Sequence, residues 1–98
     1  MRIRFDPEAA QELAEATAFL AARSPRAAER FLADIEGAKT LLLQFPRVGS
    51  PLKGDLRRLP LRVFPYRLIY RVESEEIRIY PVAHVRRKPR YWQKRILG

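Results

Sequence analysis

The chain has 98 residues, 47% of them apolar, with 20 Lys/Arg against 11 Asp/Glu, one His and no Cys. That length supports one domain, residues 1–98, around one modest core; without cysteine there is neither a disulfide nor a thiolate metal ligand, and a single histidine argues against structural zinc. The charge is one-sided, since residues 1–46 carry 6 Lys/Arg against 7 Asp/Glu while residues 47–98 carry 14 against 4, and such asymmetry points to a polyanionic partner.

The N-terminus enters "MRIRF" without an apolar signal core, and no window approaches the roughly 20 apolar residues of a membrane span, so no membrane partner and a cytoplasmic location are expected. "MRIRFD" alternates as a half-buried strand does. Asp6, Pro7 and Glu8 then form a helix start: a cap, a residue whose missing N–H needs no partner, and an acid at the positive end of the dipole. Ala10, Leu13, Thr17 and Leu20, flanked by Ala9, Ala16 and Phe19, give a helical stripe over about 7–22. The start signal recurs at Ser24-Pro25, and Ala28, Phe31, Leu32, Ile35, Ala38, Leu42 and Phe45 step by three or four to the stop at Pro46 and Gly49. Two helices so closely joined form an antiparallel hairpin.

"RVGSPLKGD" reads as a loop. Beyond it "LRRLPLRVF" alternates Leu59, Leu61 and Val63 with Arg58, Pro60 and Arg62; "YRLIYRV" is β-branched and aromatic; "ESEE" is a polar turn; "IRIYPVAH" alternates again. These make an antiparallel meander, with Pro60 and Pro81 suited to a bulge, a strand end or an edge. Strand alternation places Arg58 and Arg62 opposite the apolar residues, keeps Arg67 and Arg71 in phase, and puts Arg78, Tyr80, Val82 and His84 in phase with one another. A short helix or arm over 91–97 closes the chain. The fold class is α+β in two layers: an N-terminal strand and a helical hairpin on one face of a small antiparallel sheet.

The densest chemistry lies in "HVRRKPRYW", residues 84–92, which holds the only histidine, four cations and two aromatics without an acid. The plain readings are a strand-end histidine, sheet tyrosines at Tyr66, Tyr70 and Tyr80, a Trp92 that anchors the C-terminal segment, and solvated helix faces at Arg23, Arg26, Arg30 and Lys39.

The order β, α, α, then a three-stranded meander, with "PYRLIYRV" and "VAHVRRKPRYW", resembles the RelE/ParE superfamily of bacterial toxins, in its plasmid stabilisation branch. The resemblance implies a growth-arresting toxin of a type II toxin–antitoxin module, with a cognate antitoxin as partner and no cofactor. RelE-like members cut messenger RNA on the ribosome; ParE-like members poison DNA gyrase without hydrolytic chemistry. The first alternative implies a metal-independent endoribonuclease with Arg62, His84, Arg87 and Tyr91 as its catalytic positions: a proton exchanger, two phosphate clamps and a phenol. Lys53, Arg57, Arg58, Arg67, Arg86, Lys88 and Arg90 are expected to bind nucleic acid or the protein target. This chain departs from RelE-like members, which have lysines shortly before the second-strand arginine: here that stretch offers only Lys53, then Arg57 and Arg58, and Arg58 can supply charge but is a poor general base. A module that only binds the antitoxin is the third alternative.

Overall fold

The structure, a computed structural model, describes residues 1–87 and 90–97. The expected roles of Lys88 and of the Arg90 side chain lie outside the described residues. In chain order the elements are β1 (Arg2–Phe5), α1 (Pro7–Arg23), α2 (Pro25–Gln44), β2 (Ser50–Pro51), a single 3-10 turn (Lys53–Asp55), β3 (Leu56–Pro60), β4 (Tyr66–Val72), β5 (Glu76–His84) and α3 (Arg90–Leu97). The sheet order is β1-β5-β4-β3-β2.

Ser24 alone joins the two helices, and its hydroxyl accepts the Ala27 N–H at 3.3 Å, a capping bond at the start of α2. Asp6 does not cap α1. Its carboxylate instead accepts Arg78 Nε at 2.6 Å. The apolar stripe of α2 meets the sheet through Phe31, Ile35, Ala38 and Leu42, joined by Ala9 and Ala16 of α1 and by Leu68, Tyr70, Ile77, Ile79 and Val82. Each such large side chain taken from water contributes roughly 1.5–3 kcal/mol. Phe31 is the centre of an aromatic set, with ring centroids 5.4 Å from Phe64 and 5.1 Å from Tyr66. Phe19, Leu32 and Phe45, read as core from their spacing, are exposed; they sit on the rims of the two stripes.

The sheet is mixed, not purely antiparallel. β1 pairs with β5 in parallel from Arg2 opposite Glu76 to Phe5 opposite Ile79; β3, β4 and β5 form the expected meander, and β2 adds two residues to the edge of β3. Three details move side chains from their expected places. β3 ends at Pro60, so Val63 is exposed in a turn, and Asp34 of α2 accepts the N–H groups of Arg62, Val63 and Phe64 at 3.2, 2.9 and 2.9 Å. The β4–β5 register jumps from Leu68 opposite Val82 to Tyr70 opposite Ile79, which leaves Tyr80 and Pro81 facing Ile69 alone. This bulge breaks the expected phase: Tyr80 lies among the residues opposite the helices, whereas Val82 joins the helix-side core. Finally, Leu56, Ile69, Tyr80 and Ala83 form a second small core beneath Trp92 of α3. Trp92 is thus the anchor of the C-terminal segment.

Tyr70 is buried and ties the loop after α2 to the sheet: its hydroxyl donates to Pro46 O at 2.7 Å and accepts Gly49 N–H at 2.9 Å. A Cβ on Gly49 would lie 2.7 Å from that hydroxyl and 2.9 Å from Arg58 O, so Gly49→Ala forces backbone apart and is expected to cost about 1–3 kcal/mol. Tyr70→Phe strands one buried and one half-buried backbone group and is expected to cost a similar ~1–3 kcal/mol. Urea unfolding of the two variants measures both losses.

Candidate functional site

β5 leaves the sheet at His84, and the following turn folds back on it. Val85 N–H donates to Pro65 O at 2.9 Å and Arg87 N–H to His84 O at 3.0 Å, while Arg86 N–H donates to the imidazole Nδ1 at 3.1 Å. With Nδ1 accepting, the neutral ring carries its hydrogen on Nε2. The ring also packs edge-on against Tyr66, centroids 5.1 Å apart. Four contacts of backbone and ring therefore fix this corner.

Tyr91, in the first turn of α3, lies under the Arg87 guanidinium, which sits 3.8 Å from the ring centroid. A contact this close is a cation–π stack. The Tyr91 hydroxyl is buried without a well-formed hydrogen bond. Burial first, and then the neighbouring Glu12 carboxylate, push its pKa up to about 12, against the smaller opposing pull of Arg87 and Arg95. At neutral pH it is a protonated, shielded phenol.

On the face opposite the hairpin, Lys53, Arg58, Arg67, His84 and Arg87 line one cleft of about 450 Å³ whose floor is Leu56, Ile69, Ala83 and Trp92. Five of the residues expected from the sequence thus come together. His84, Arg87 and Tyr91 also line a smaller groove beside α1, with Tyr66 and Glu12. Arg62 is elsewhere: it lines a third groove, between α2 and the β3–β4 turn, with Asp34, Gly37 and Leu41. Arg57 is occupied, donating to Arg47 O at 3.0 Å and Gly49 O at 2.9 Å, and Arg86 is exposed beyond the clefts.

Residues 3–89 match the family described as the ParE toxin of the type II toxin–antitoxin system parDE. The chain belongs to the ParE toxin family. It is similar to a chain of a solved structure described as a chromosomal ParDE system from P. aeruginosa, with a TM-score of 0.76 and 25% identity over 87% of this chain and 96% of that one. No curated protein sequence matches it significantly. The family makes this chain a toxin with a cognate antitoxin as its partner. Among the described residues no helix of the toxin is long and apolar enough to cross a membrane.

The residues of the toxin that hold the corner in place carried little signal in the sequence. Glu12 of α1 accepts Val82 N–H at 3.1 Å, just past the point where β1 stops pairing with β5, and also Arg95 Nη2 at 3.2 Å. Arg95 donates further to Glu8 at 2.7 Å and to Tyr80 O at 3.0 Å, latching α3 to both α1 and β5. Asp34 does the same for the β3–β4 turn. Each is an acid on a helix face that single-sequence reading assigns to solvent; only an acid paired with an unfilled strand N–H, visible once register is known, marks it.

Tyr91 makes a measurable claim on the toxin's alkaline behaviour. Its pKa is about 10 in the unfolded chain and about 12 in the fold. Between those values the unfolded chain loses the proton and the folded one keeps it, so stability is whole below pH ~10 and falls as pH rises toward 12. Urea midpoints across that window are expected to decline, and the decline to be shallower in Tyr91→Phe.

Proposed function

We propose that this toxin arrests growth by binding its target without cleaving RNA, with DNA gyrase as that target in the manner of ParE-like toxins. The observation that carries this reading is the buried Tyr91 hydroxyl: a group required to deliver a proton to a leaving oxygen must reach it within hydrogen-bond distance, and this one is shut off from solvent on a ring stacked under the Arg87 guanidinium. Two further features support it. His84 has Nδ1 engaged by backbone and Nε2 bearing hydrogen, so it meets a ligand as a donor, not as a base. Arg62, which a phosphate-cleaving set needs beside the histidine, lines a different groove.

On this reading the exposed basic turn at Val85–Arg87 serves as a docking surface, and its charge speeds and orients association with an acidic target face. The antitoxin covers the basic half with a segment that combines acidic and apolar side chains and folds on binding.

Induction in bacteria, with translation, DNA supercoiling and growth followed together, tests the target. DNA damage and lost supercoiling while translation continues are expected. Early loss of translation would favour RNA cleavage, and undisturbed growth would leave a module that only binds antitoxin. Tyr91→Phe, which removes one oxygen and keeps the stack on Arg87, is expected to remain as toxic as the parent; in a nuclease the same change costs about 10²-fold or more. Titration of the antitoxin at rising salt is expected to weaken the complex only in part, since rim charges are screened beyond about 8 Å while buried apolar contacts are not.

A further inference from the structure

The cleft at Arg58 and Arg67 has a composition that docking a protein does not require. Its charged lining is Lys53, Arg58, Arg67, His84 and Arg87, with no acid among its residues. Several arginines elsewhere are paired with acids: Arg4 with Glu76, Arg78 with Asp6, Arg95 with Glu8 and Glu12. Among the described residues none of Lys53, Arg58, Arg67 and Arg87 has an ion pair or a hydrogen bond from its side chain to protein, and these are the cations gathered in one concavity. With Nδ1 of His84 used by Arg86 N–H, the ring's remaining nitrogen is a donor as well. Apart from the Gln93 amide, the polar side chains of the cleft therefore offer donors only, most of them charged, above an apolar floor.

We infer that this cleft binds a nucleoside polyphosphate, the phosphates held by Arg58, Arg67, Arg87 and Lys53 and the base laid on the floor of Ile69, Ala83 and Trp92. Several guanidinium forks around one concavity present more donors than a lone carboxylate has lone pairs, and a di- or triphosphate supplies both the oxygens and the compact charge to meet them. The volume, about 450 Å³, lies within the range of small-ligand sites, roughly 300–1,000 Å³. Gln93 at the rim has an amide that can donate to and accept from a base edge. The inference does not depend on which macromolecule the toxin arrests.

Trp92 is the only tryptophan and lines the cleft, so its fluorescence, excited at the red edge to avoid nucleotide absorption, reports occupancy; calorimetry gives the affinity. The probes are ADP, inorganic pyrophosphate, a short oligothymidylate and a glutamate-rich peptide, added to the full chain. ADP is expected to bind, to perturb Trp92, to be displaced by pyrophosphate, and to lose at least about tenfold in affinity in the Arg58→Gln/Arg67→Gln variant. Lys53→Gln, in the exposed turn, gives a second and smaller loss that does not depend on the sheet folding with two altered arginines. Arg23→Ala, on α1, is expected to change nothing. Absence of ADP binding at millimolar concentration, equal binding in the variants, or tighter binding of the oligonucleotide or of the acidic peptide at the same cleft would each overturn the inference.

Discussion

Between Ile79 and Val82 the interior strand β5 carries one residue more than its neighbour β4, and the arrangement of the basic half follows from that insertion. Arg78 before the bulge and Tyr80 within it point away from the helical hairpin; after it, Val82 joins the hairpin side and His84 reaches the corner at which two clefts meet. Pro81 occupies the bulge, where a residue without an N–H costs no ladder bond. β1 stops opposite Ile79, and the strand edge left open beyond it is filled by the Glu12 carboxylate and then by α3.

The same economy recurs at the other end of the sheet. Asp34 gathers three consecutive N–H groups of the β3–β4 turn, so the turn that carries Arg62 is fixed to α2 by one charged acceptor. Tyr70 performs the equivalent task for the loop between α2 and β2. The turn and the loop are thus each tied down through one buried or half-buried polar side chain, while much of the remaining cohesion is apolar burial. In this frame the acids serve the backbone and a subset of the arginines, and the cations of the Arg58–Arg67 cleft are left to solvent or to a ligand.

Most of the architecture was legible in the sequence. The 3.6-residue stripes located both helices, the Asp-Pro and Ser-Pro starts set their beginnings within a residue or two, and alternation located β4 and β5. The family was legible from "PYRLIYRV" and the cationic run after it. What periodicity does not encode is the point at which a strand changes face. Val63 alternates with Arg62 as strand residues do, yet Asp34, far away in sequence, pulls both into a turn. Tyr80 and Val82 are two apart, yet lie on opposite faces. Parallel pairing of β1 with β5 is likewise a tertiary choice that six residues of alternation leave open. The candidate site inherits those gaps: whether the cations of the second half share a face depends on register, which brings Lys53, Arg58, Arg67, His84 and Arg87 to one cleft, whereas Arg62 lines another groove, in the turn that Asp34 holds.

The central claim is that the corner at His84 is built to bind, with its imidazole Nδ1 held by the Arg86 N–H, and the ring itself reports on it. Nitrogen-15 NMR of the histidine ring near neutral pH distinguishes the two nitrogens directly. The neutral form is expected as the Nε2–H tautomer, with an acceptor-type Nδ1 coupled to the Arg86 N–H. A neutral ring bearing its hydrogen on Nδ1, with Nε2 bare and open to solvent, would present a ready general base and would contradict the binding mechanism.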